Sequence, residues 1–89
     1  MDIFGYFATI LARLTNRDPL ICKGLLRLSF KMQNKNTYPP ITFNSLRETF
    51  HGQLKNRLEI LKIPDSDRII KILDTELTQI QSIITVGQI

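Results

Sequence analysis

Four prolines cut this chain into four stretches, and each stretch carries apolar residues at helical spacing. Pro19, the Pro39-Pro40 pair and Pro64 stand at the breaks. Proline gives no N–H and fixes its own φ, so it opens a helix or ends one but does not sit comfortably inside. The first stretch predicts a helix over residues 2–15, with Ile3, Phe7, Ile10 and Leu14 on one face and Phe4, Tyr6 and Leu11 widening it. The second, residues 19–33, starts with Asp18 as the cap and Pro19 in the first turn. Its apolar row is Ile21, Leu25, Leu28 and Met32, flanked by Cys22 and Leu26.

The third stretch predicts a helix over 45–62. Ser45-Leu46-Arg47-Glu48 fits a capping box, and Leu46, Phe50, Leu54, Leu58 and Leu61 form the apolar row. The helix must stop before Pro64, which disfavours helical geometry at Ile63. The fourth stretch predicts a helix over 65–86, with Asp65 and Asp67 at its first turn. Ile69, Leu73, Leu77, Ile80 and Ile84 form its seam, Ile70, Ile72 and Ile83 lie beside it, and Gly87 is its stop. No stretch alternates apolar and polar residues in the manner of a strand. The expected fold is therefore all-α: one domain, residues 1–89, of four short helices packed as two antiparallel hairpins, a helical bundle. Residues 34–44 are the linker between the hairpins.

Eighty-nine residues make a small core, so burial has to be efficient or shared with a second copy. Phe7, Ile10, Leu25, Leu28, Phe50, Leu54, Leu58, Leu73, Leu77 and Ile80 are the expected core. The wide aromatic arc of the first helix and the isoleucines of the last exceed what four short helices need. That excess predicts a homodimer that shares helix 1 or helix 4.

Charge is unevenly spread. Residues 1–44 hold six Lys or Arg against two acids, whereas residues 45–89 hold six of each. Lys23, Arg27, Lys31 and Lys35 recur every four residues and draw one basic stripe along helix 2. Arg47, His51 and Lys55 form a second row. Lys23, Arg27, Lys31, Lys35, Arg47 and Lys55 are therefore the candidate partner-binding residues. Gly24 costs its helix about 1 kcal/mol relative to alanine and marks a place where another backbone can come close.

The chemistry of catalysis is missing from the pattern. His51 is the only histidine and Cys22 the only cysteine, and they lie in different segments. A lone thiol among leucines and isoleucines behaves as a small hydrophobe, and an unbridged cysteine suits a reducing, cytoplasmic compartment. No phosphate-cradling loop or nucleophile elbow occurs. We therefore expect no enzyme, no catalytic residue, no metal and no cofactor. No apolar run reaches the roughly 20 residues that span a bilayer, and the amino-terminal segment lacks the basic flank of a signal peptide.

Three functions compete. The first is an interaction or regulatory module that self-associates and binds another protein. The second is nucleic-acid binding, for which the basic stripe would meet phosphates and Tyr38 would stack on a base. The third lays helix 1 on a membrane surface, against which its small, weakly basic polar face argues.

Overall fold

A computed structural model describes residues 2–34 and 41–81. Lys35, Tyr38 and the Pro39-Pro40 pair lie outside the described residues, as do Ile83, Ile84, Gly87 and the expected helix end at 86. Four helices make up the described chain, and no strand occurs among the described residues. They are α1 (Ile3–Thr15), α2 (Pro19–Gln33), α3 and α4 (Ser66–Gln79). Helix α3 is a single rod in three stretches: Phe43–Thr49, Phe50–Leu54 in the wider π form, and Lys55–Ile60. The all-α bundle is as expected: α1 packs on α2, α3 packs on α4, and the two hairpins close through α2 on α3 and α1 on α4.

Each helix end has a local cause. Asp2 caps α1 by accepting from the Gly5 N–H at 3.1 Å, and Asp18 caps α2 by accepting from Leu20 N–H at 2.7 Å. Asn16, at φ 56°, turns the chain out of α1 in the left-handed conformation that asparagine tolerates. Helix α3 starts earlier than expected. Its cap is Thr42, not Ser45: Thr42 Oγ1 accepts from the Ser45 N–H at 3.1 Å while Ser45 Oγ accepts from the Thr42 N–H at 2.8 Å. The capping box is thus a Thr-Ser pair, and Glu48 is not part of it. At the other end Lys62 is left-handed, and the Ile63 N–H reaches back to the Leu58 carbonyl at 3.0 Å. This loop ends the helix ahead of Pro64 and folds Ile63 onto the core. Asp65 is no side-chain cap; it sits at φ 60°, and its carboxylate Oδ2 lies 3.9 Å from Arg68 Nη1.

The π stretch has a visible cause. The side chain of Gln33, at the end of α2, reaches α3 and its Oε1 accepts from the Gln53 N–H at 3.1 Å. Gly52 leaves the room: a Cβ there would overlap Gln33 Oε1. A side chain that inserts into the helical ladder widens it. Gly24 is the opposite case, since a Cβ there would meet nothing within 4 Å. The expected result of Gly24→Ala is a gain of about 1 kcal/mol in thermal or urea unfolding, from helix propensity alone. Gly52→Ala gains the same propensity but displaces Gln33 and strips the Gln53 N–H of its partner, a loss of about 1–3 kcal/mol. In a Gln33→Ala background Gly52→Ala should become stabilising. If the two glycine variants melt alike, the Gln33 contact is not what shapes α3.

The core joins all four helices. Phe7 meets Phe50 edge-on with ring centres 5.0 Å apart, and Phe4 meets Phe30 in the same way at 5.6 Å. Of the expected core, Phe7, Phe50, Leu54, Leu58, Leu73, Leu77 and Ile80 are buried, while Ile10 and Leu25 are half-buried. Leu28 is not core: it is 42% exposed. Helix α2 is rotated from its expected facing, so Cys22, Leu26, Ser29 and Phe30 point inward. Ser29 can be buried because its hydroxyl donates to the Leu25 carbonyl at 2.8 Å, leaving no unpaired polar group.

A candidate protein-interaction surface

The rotation of α2 leaves its most regular apolar row outside. Leu20 is 79% exposed, Ile21 65% and Met32 37%, and with Leu28 they line the outer side of the helix. On a helix of 3.6 residues per turn, Ile21, Leu28 and Met32 stack on one side of Gly24, and Arg27 and Lys31, with Leu20 between them, on the other. Gly24 lies between the two rows as a notch. The patch continues onto α3. Arg57 donates from Nη2 to the Met32 sulfur at 2.8 Å, and Ile60 and Leu61, one turn beyond Arg57, are exposed. Single exposed apolar residues are ordinary on a protein surface, whereas these lie together with a basic border.

The candidate cations separate into two groups. Lys23 forms an ion pair with Asp2 across the α1–α2 hairpin, and this pair holds the Asp2 carboxyl below its usual range, helped by the Gly5 N–H. Arg47 Nε lies 3.5 Å from Asp74 Oδ1, and His51 Nε2 lies 3.4 Å from the same oxygen. Lys55 Nζ lies 2.9 Å from Asp67 Oδ1, whose hydrogen bond raises the lysine pKa. The second basic row thus faces acids of α4 and ties the second hairpin together. Their basic members are largely exposed and Asp74 is half-buried, so each pair contributes modestly. Arg27 and Lys31 are different: both are exposed, and neither has an ion-pair partner among the described residues. Lys35 lies outside the described residues.

Other polar groups serve the fold. Tyr6 donates to Glu76 Oε2 at 3.0 Å, joining α1 to α4; burial, and then this bond, raises the tyrosine pKa. Cys22 is buried beside Thr15, and burial pushes its thiol pKa up, away from nucleophilic use. The Arg47, His51 and Asp74 distances are those of a charge cluster between helices. The residues that sequence reasoning missed are the apolar members of the surface. Ile21, Leu28 and Met32 share the spacing of a buried row, and that spacing is what puts Leu28 in the expected core. Their one sequence signal was a second apolar face on the same helix, Cys22, Leu26 and Phe30. No helix among the described residues is long and apolar enough to cross a membrane. Compared with models of protein families, with curated proteins and with solved structures, the chain matches none.

Proposed function

We propose that this chain is a non-enzymatic protein-interaction module that receives a partner protein on the outer face of α2. One observation carries the reading: Ile21, Leu28 and Met32 form an apolar row that no other helix among the described residues covers, with Arg27 and Lys31 beside it. A small domain cannot leave such a row in water without losing the hydrophobic gain of burying it, about 25 cal/mol per Å². A partner supplies that burial. Helices α1 and α4, the expected dimer faces, have no large apolar residue among the exposed ones of the described chain.

Nucleic-acid binding is the second reading, and Arg27 with Lys31 supports it. Phosphate contacts would leave Ile21 and Leu28 uncovered, and Lys23, Arg47 and Lys55 have acids of their own, so the protein reading accounts for more of the surface.

The test compares the full chain with an Ile21→Ser/Leu28→Ser variant, each immobilised and exposed to extract of its own cell. The variant should melt within about 1 kcal/mol of the parent, because surface changes cost little. The expected result is a protein retained by the parent and lost by the variant. Retention that is equal for both, no retained protein at all, or a retained fraction absorbing at 260 nm as nucleic acid would each refute the reading.

A further inference from the structure

We infer that the partner of this surface is an amphipathic helix with an acidic flank, seated along the Gly24 notch. The inference rests on the proposed docking face and adds the chemistry of its occupant. Three features of α2 select it. Gly24 has open space where its Cβ would be, so a second helix axis can approach closely there. The Ile21–Leu28–Met32 row borders the notch on one side and demands an apolar seam. Arg27 and Lys31 border it on the other, unpaired among the described residues, and demand acids.

A second copy of the chain does not meet those demands. A two-fold antiparallel pair of α2 helices brings the Arg27–Lys31 rows of both copies to the same side of the seam, like charge by like charge. A parallel pair sets each basic row on the other copy's apolar row. Neither arrangement provides an acid, and unpaired like charges across an interface select against it. A lipid surface is served by a convex apolar ridge with many cations, whereas this face is notched at its outermost line. A helix with a small residue against Gly24, leucine-like residues against Leu28 and glutamates one turn apart meets the glycine, the apolar row and the two cations together.

The experiment selects helical peptides from a displayed library, randomised along one seam and both flanks, against the full chain. The expected winners carry small residues at the seam centre and Asp or Glu on one flank. Binding should fall about tenfold or more with Arg27→Glu/Lys31→Glu, and likewise with Gly24→Leu, which fills the notch. Selection against the charge-reversed chain should return basic flanks. Winners that need Leu28 but show no acidic bias would overturn the inference and leave the docking face standing. Winners indifferent to Leu28→Glu would remove both. Two further measurements decide against the inference if positive: a dimeric mass that Leu28→Glu makes monomeric, or binding to phosphatidylserine-containing vesicles that Arg27→Glu/Lys31→Glu abolishes.

Discussion

Leu26→Ala is expected to lower stability by about 2–5 kcal/mol, and Leu28→Ala by about 1 kcal/mol or less. The two leucines are two positions apart on the same helix, and sequence alone ranks Leu28 as the better core residue. Their surroundings differ. Leu26 is 1% exposed and buried in the cluster of core side chains, so truncation removes packed methyl groups and leaves a cavity. Leu28 looks outward, and truncation there removes surface that water already wets. Urea unfolding of both variants, with the slope against denaturant unchanged, decides the matter. If Leu28→Ala costs as much as Leu26→Ala, then α2 faces the way its apolar spacing suggests and the docking face disappears.

Leu54→Ala and Leu77→Ala should each cost about 2–5 kcal/mol as well, the range for a leucine cut out of a filled core. Both side chains are 0% exposed. Leu54 sits in the π stretch of α3 and Leu77 in the last full turns of α4, so the two variants probe both helices of the second hairpin. A domain of this size has a total stability of roughly 5–10 kcal/mol, so either change takes a large share of it. A fall in the thermal midpoint by more than about 10 °C is the expected reading, at 4–8 °C per kcal/mol for domains of this length. Midpoints within a few degrees of the parent would mean that the hairpins are not closed on one core.

Local chemistry was enough for the parts of the fold that local chemistry controls. Pro19 after Asp18 places the start of α2 because a proline lacks only an N–H that the first turn leaves unpaired. Ile69, Leu73, Leu77 and Ile80 place the inner face of α4 because the opposite positions, Lys71, Thr75 and Thr78, are too polar to compete. For α3, Phe50, Leu54 and Leu58 leave one choice of face, and that choice is the observed one. The cap of α3 was misjudged because Thr42 and Ser45 are both good caps. What separates them is that Ser45 reaches back to the Thr42 N–H, a bond available only after the chain has turned there.

The facing of α2 lay outside what its sequence determines. The helix carries two apolar rows, Ile21–Leu25–Leu28–Met32 and Cys22–Leu26–Phe30, and periodicity favours the longer. The tertiary structure favours the shorter. Phe30 is the piece that meets Phe4 edge-on, and Ser29 hides its hydroxyl against its own backbone. Gln33 on that side reaches the Gln53 N–H across the groove left by Gly52. The Phe30–Phe4 and Gln33–Gln53 contacts join residues far apart in the chain, so no short window of the sequence contains them. The same choice turns Ile21, Leu28 and Met32 outward beside Arg27 and Lys31. Four helices and the basic row along α2 follow from residue order alone. Which face of α2 stayed exposed was decided only when α1 and α3 closed on the other.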